Sequence, residues 1–137
     1  MSQVHEHRCS QCQTAWQHSQ ESNGRFRDHI CPSCGFLELM VFKAGAPPFG
    51  AADYPQVVAN LLKALADSDK AARRAAAFSL GVLHAEPTRA VPALALAAIC
   101  DLDSTVKEAA VAGLRHFDIE TCREASGSLW PVIAGMV

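Results

Sequence analysis

Six cysteines occur in the 137 residues, and four of them stand in two pairs, Cys9-Ser10-Gln11-Cys12 and Cys31-Pro32-Ser33-Cys34, separated by eighteen residues. Two residues between cysteines let a tight turn aim both thiolates at one ion, and backbone N–H groups in such a turn can donate to the sulfurs. Two turns of this kind close a tetrahedral four-sulfur site with no open position for substrate. The expected ligands are Cys9, Cys12, Cys31 and Cys34.

The segment between the pairs must bring the two turns together. Thr14-Ala15-Trp16-Gln17-His18 reads as a strand ahead of the turn-forming Ser22-Asn23-Gly24, and Arg25 to Ile30 reads as the returning strand. Gly35 can take the positive φ that a metal knuckle demands, and Phe36-Leu37-Glu38-Leu39-Met40-Val41-Phe42-Lys43 is the expected third strand. Over residues 7–44 the chain resembles a zinc ribbon, on the strength of the two pairs and the Cys31-Pro32-Ser33-Cys34-Gly35 knuckle. The resemblance implies zinc as cofactor. A knuckle of this form also occurs in rubredoxin-like electron carriers, so iron is the alternative ion, although typical rubredoxins have a longer gap between pairs. A module this small has too little core to fold unaided, and metal binding would supply the deficit.

His5, His7, His18 and His29 crowd around the cysteines, where one can replace a thiolate or bind a second ion. With four well-spaced cysteines present, the expectation is an exposed imidazole or one that supports the ligands from outside. Trp16 and Phe26 can stack on bases and Arg8, Arg25, Arg27 and Lys43 can touch phosphate, or the aromatic rings can simply cover a small core.

Lys43-Ala44-Gly45-Ala46-Pro47-Pro48-Phe49-Gly50-Ala51 breaks both strand and helix patterns. Beyond it an internal repeat appears: the fifteen residues from Asp67-Ser68-Asp69 to Gly81 align with those from Asp101-Leu102-Asp103 to Arg115 at an offset of 34 residues. An apolar helical stretch precedes each copy, Pro55 to Ala66 and Ala90 to Cys100, so each unit reads as helix, tight turn, helix. Asp69 and Asp103 are placed to cap the second helices, with Asp67 and Asp101 closing the turns. Ala72, Ala75, Ala76, Ser79, Leu80 and Leu83 share one face of the first copy, as do Val106, Ala109, Ala110, Gly113 and Leu114 in the second. This pattern, with Arg73 and Lys107 at its basic position, resembles HEAT repeats, in particular the short HEAT-like repeats of phycobilin lyases. The match covers residues 55–117 and implies a right-handed helical stack that binds proteins; lyase chemistry does not follow from scaffold motifs.

A third unit is incomplete, with Asp118 capping a helix to Ala125 and Ser128 capping a final apolar stretch around Trp130 that either packs back as a cap or docks a partner. Cys100 and Cys122 lack metal spacing and read as small core residues. His84 and His116 sit near helix ends, where an imidazolium favours the dipole.

Charge is balanced over residues 1–50, with four acids and four bases, and the remainder carries the net −2. Neither half has the positive field that non-specific nucleic-acid binding uses. No apolar run opens the chain, which argues against a signal peptide, and a cytoplasmic location is expected. The reading is an α+β chain divided by domains: a three-stranded β zinc ribbon over 1–44, a Pro/Gly linker over 45–53, and an all-α stack of HEAT-like helical hairpins over 54–137. With no activated nucleophile, phosphate loop or open metal site, the expected function is a non-enzymatic zinc-binding adaptor or scaffold for protein–protein interaction. The alternatives are a nucleic-acid- or ribosome-associated zinc ribbon and an iron electron carrier.

Overall fold

The structure, a computed structural model, describes residues 4–19, 26–39 and 50–137. Strands β1 (Val4–Arg8) and β2 (Ala15–Ser19) pair antiparallel, with His5 opposite His18, His7 opposite Trp16 and Arg8 opposite Ala15. The first cysteine pair forms the connection of this hairpin, closed where the Cys9 N–H donates to the Thr14 carbonyl at 2.9 Å. β1 has no apolar alternation; the knuckle that follows it imposes the pairing.

Arg25, the first residue of the expected return strand, lies outside the described residues, and residues 26–30 do not form that strand. Phe26–His29 is a single 3₁₀ turn, and only Ile30 pairs, through an isolated antiparallel bridge to Leu37. The Asp28 carbonyl accepts from the Trp16 indole N–H at 3.1 Å, so an acceptor that a ladder would use is taken by a side chain. Of the expected third strand, residues 36–39 carry that one bridge, and residues 40–43 lie outside the described residues, as do the turn at 22–24 and most of the expected linker. The ordered β structure among the described residues is thus a two-stranded antiparallel sheet.

The rest is helical: α1 (Tyr54–Ala64), α2 (Lys70–Leu83), α3 (Pro87–Cys100), α4 (Ser104–Leu114), α5 (Ile119–Ser126) and the short α6 (Trp130–Ile133). Pro55 and Pro87 stand in the first turns of α1 and α3, where a missing N–H costs nothing. The two Asp-x-Asp turns have the same wiring. Asp67 accepts from the Asp69 N–H (2.8 Å) and Asp101 from the Asp103 N–H (2.9 Å). Asp69 then caps α2 through the Ala71 N–H, and Asp103 caps α4 through those of Thr105 and Val106, satisfying donors that the first helical turn leaves unpaired. Arg73 ties the turns to each other. Its guanidinium forks onto the Asp101 carboxylate (3.0 and 3.3 Å) and donates to the Asp67 and Ser68 carbonyls (2.9 and 3.1 Å).

The small residues of α2 and α4 face inward: Ala72, Ala75, Ala76, Ser79, Leu80 and Leu83 are buried, as are Val106, Ala110, Gly113 and Leu114. Where the two helices cross, a Cβ on Gly81 would lie 2.6 Å from the Gly113 Cα, and one on Gly113 would lie 2.8 Å from the Ala77 carbonyl oxygen. The approach is one that glycine alone permits. Asp118 caps α5 through the Thr121 N–H (2.7 Å). Ser128 caps nothing: it lies within a 3₁₀ turn, and α6 starts without a side-chain cap. Ile133 is buried and Trp130, Met136 and Val137 pack on the core, with Arg115 donating to the Met136 carbonyl at 2.8 Å.

Cys122 is a buried core residue, whereas Cys100 is exposed, because the last turn of α3 presents it on the outer face. No helix among the described residues is long and apolar enough to cross a membrane.

Candidate metal centre

The two cysteine turns are built alike. The Cys9 carbonyl accepts from the Gln13 N–H (2.9 Å) and the Cys31 carbonyl from the Gly35 N–H (3.0 Å); the Cys9 N–H donates to the Thr14 carbonyl (2.9 Å) and the Cys31 N–H to that of Phe36 (2.8 Å). Both turns end on positive φ, 67° at Gln13 and 82° at Gly35. Glycine meets that requirement without strain and glutamine does not. Backbone N–H groups point at the sulfurs, from Gln11 to Cys9 Sγ at 3.4 Å and from Ser33 and Cys34 to Cys31 Sγ at 3.4 and 3.5 Å.

These turns bring all four expected ligands together. Cys9 Sγ lies 3.4 Å from Cys34 Sγ, and Cys12 Sγ lies 3.5 Å from Cys31 Sγ, so each contact crosses between the pairs. The four sulfurs lie within 4.8 Å of one another. Tetrahedral zinc with Zn–S of about 2.3 Å sets its sulfurs about 3.8 Å apart, which falls within that spread. Four sulfur donors at these distances are compatible with a metal ion such as zinc.

The surroundings treat the thiols unequally. Burial pushes the Cys9 thiol up, and Cys34 is raised for the same reason. Cys12 is exposed and is held down at about 6 by its hydrogen bond with the Thr14 side chain, aided by the Thr14 backbone. A cation at the centre offsets the desolvation that otherwise opposes ionising the buried pair. Glu38, fully buried, braces the first turn by accepting from the Ser10 N–H at 3.1 Å.

The second turn sits directly on the helices. Phe36 and Leu37 are completely buried, and the Leu37 N–H donates to the Ser79 hydroxyl of α2 at 2.7 Å. Cys9, Cys31, Phe36 and Leu37 belong to the same apolar cluster as Val57, Leu61, Leu80, Leu94 and Leu114. A shallow cleft of ≈ 280 Å³ remains between the turn, at Ile30, Cys34 and Gly35, and the α2 residues Ala71, Arg74 and Phe78.

Of the two expected placements of the histidines, an exposed one does not hold for His7 and His29. His7 and His29 are buried, 1% and 6% exposed, and cluster with half-buried His18 beside the four-sulfur centre; nothing in their single-residue context announces this. A signal does exist in the spacing, since His7 and His29 each stand two residues ahead of the first cysteine of a pair. Trp16 is committed internally: its ring stacks on His7 (centroids 5.3 Å apart) and its N–H on Asp28. Of the basic residues proposed to meet phosphate, Arg27 is exposed and Arg8 partly buried, and Arg25 and Lys43 lie outside the described residues. Comparison of the chain with known protein families, characterised proteins and solved structures finds no match.

Proposed function

We propose that this chain is a non-enzymatic zinc-binding adaptor, in which a zinc ribbon closed by Cys9, Cys12, Cys31 and Cys34 is docked on a stack of HEAT-like helical hairpins that receives a protein partner. The observation that carries the reading is the closed four-sulfur centre joined to the helices through one core. An ion there has no vacant position for substrate, and the ion's role becomes to fold a module that the helices then hold. The repeated wiring of the Asp-x-Asp turns and the Arg73 clamp support a repeat stack, whose neighbouring units bury each other.

We assign the receiving surface to a groove on the helices. Leu62, Leu65, Ala93, Leu96 and Ala97 line an apolar groove between α1 and α3, and Leu96 is 51% exposed. Groove-and-helix recognition suits such a strip, with an apolar helix of the partner laid along it. The groove is independent of the metal centre, so the two surfaces can engage different partners. Location in the cytoplasm accords with thiolates that stay reduced.

The test is crosslinking of the full chain in lysate of its own cells, with mass-spectrometric mapping, beside a Leu96→Asp variant. Crosslinks from α1 and α3 to one protein, lost in the variant while its circular dichroism is unchanged, support the adaptor. Salt-sensitive co-purification of RNA in place of a protein would contradict it, and iron at the four sulfurs would move the chain to the electron carriers.

A further inference from the structure

Beside the four-sulfur centre, the rings of His7, His18 and His29 form a nearly equilateral triangle, with centroids 4.8 Å (His7 to His18), 4.6 Å (His7 to His29) and 4.8 Å (His18 to His29) apart. The triangle follows from the chain's own construction. His7 precedes Cys9 and His29 precedes Cys31 by two residues, so the two matching cysteine turns that meet at the sulfurs also bring these histidines together. His18 joins from β2: it pairs with His5, two residues beyond Trp16, and so stands diagonal to His7 on the same face of the hairpin.

We propose that His7, His18 and His29 form a second metal site, separate from the four cysteines, that binds zinc through three imidazole nitrogens and leaves the fourth position to water or a small anion. One potential ligand atom from each ring lies within 4.8 Å of the others, and the Nε2 atoms of His7 and His18 are 2.8 Å apart. Zinc bound at about 2.0–2.1 Å sets tetrahedral nitrogens about 3.4 Å apart, so the present spacings bracket the required one. The His29 ring stands edge-on to both, at 78° to His7 and 66° to His18. His7 and His18 are near-parallel, at 14°. The reorientation that aims both at one ion falls to His18, the least buried of the three, whose ring torsion is soft.

The donor set decides the chemical class. Three imidazole nitrogens with no thiolate suit zinc and its neighbours among divalent first-row ions, not calcium or magnesium, which prefer oxygen. It also differs from the first centre. Four thiolates saturate an ion, whereas three imidazoles leave one coordination position free. The wall of this site is rigid on one side, where Trp16 stacks on His7 and is pinned by its bond to the Asp28 carbonyl. Holding ligands in this way is what pre-shapes a metal site.

The test loads the untagged full chain, stripped of metal, with Co²⁺ alone and follows its absorption spectrum, beside His18→Ala. The wild type should take two ions: one giving the intense near-ultraviolet thiolate charge-transfer band, and one giving ligand-field bands without it. His18→Ala should keep the first and lose the second, a fall from two ions to one. Equal stoichiometry in both proteins overturns the proposal. Should the thiolate band be absent from both while the variant still binds one ion fewer, the histidine site stands and the four-cysteine reading fails. A second readout needs no variant: ¹⁵N spectra of the wild-type imidazoles on adding Zn²⁺. Shifts of the ring nitrogens of His7, His18 and His29 to metal-bound positions, with those of His84 and His116 unmoved, support the site, and unmoved signals from the three sink it.

Discussion

Replacing Ser79 with alanine tests whether the metal module and the helices are one energetic unit. Ser79 is completely buried on α2, and its hydroxyl accepts the Leu37 N–H at 2.7 Å, two residues beyond the knuckle glycine. Leu37 is also completely buried, so water cannot replace the lost acceptor. An orphaned buried N–H costs about 1–3 kcal/mol. Alanine is the better helix former by about 0.5 kcal/mol, which offsets part of that. The net loss for the metal-loaded protein is then about 0.5–2.5 kcal/mol, read from urea unfolding followed by circular dichroism. Because the bond exists only when the knuckle is formed and docked, the same loss must appear in metal binding. Zinc affinity, measured by competition with a chromogenic chelator, should weaken about 5- to 30-fold for a loss of about 1–2 kcal/mol. A variant with undiminished zinc affinity and unchanged or increased stability would refute the docking argument.

Other consequences are equally direct. Gly35 has φ of 82° and no atom within 4 Å of a Cβ, so Gly35→Ala costs backbone strain alone, about 1–2 kcal/mol, while Gln13→Gly at φ 67° relieves the same strain and raises the melting temperature. Gly81→Ala gains about 1 kcal/mol of helix propensity but meets the Gly113 backbone at 2.6 Å; the clash wins, and calorimetry shows a melting temperature lowered by several degrees. With metal bound, iodoacetamide modifies exposed Cys100 and spares Cys12 although it too is exposed; after chelation Cys12 also reacts, as counted by intact-mass spectrometry. Accepting the Thr121 N–H holds the Asp118 carboxyl below its usual range. Its folded value being depressed, its contribution is complete above the unfolded value of about 4 and fades as pH falls through the folded one. The stability gap between wild type and Asp118→Asn, measured by urea unfolding, is therefore open at pH 7 and closes on acidification.

The parts of the molecule that were legible in sequence are those written in local spacing. Two C-x₂-C pairs announce the four-sulfur centre because each turn needs only its own few residues, and the 34-residue offset announces the paired Asp-x-Asp turns because each cap is local. What depends on distant contacts was not legible. β1, with His5, Glu6, His7 and Arg8, has no apolar alternation, and Arg25 to Ile30 reads as a strand because the chain must return to the second cysteine pair, although Trp16 takes the Asp28 carbonyl and Phe26–His29 forms a turn instead. Cys100 closes an apolar run, yet the phase of α3 turns it outward. Ser79 reads as one more small residue on a helical face, and its role as acceptor for Leu37 exists only once a turn forty-two residues away is seated on it. The composition shift near residue 45 is silent on the core that Cys9, Cys31, Phe36 and Leu37 share with the helices.

The zinc-adaptor proposal depends first on what the four sulfurs hold. A crystal of the protein, purified without an affinity tag or added metal, measured on both sides of the zinc absorption edge, answers this directly. An anomalous peak is expected about 2.3 Å from the sulfurs of Cys9, Cys12, Cys31 and Cys34. A peak that persists at the iron edge and shows no step at the zinc edge, or disulfides where the ion should be, would contradict it.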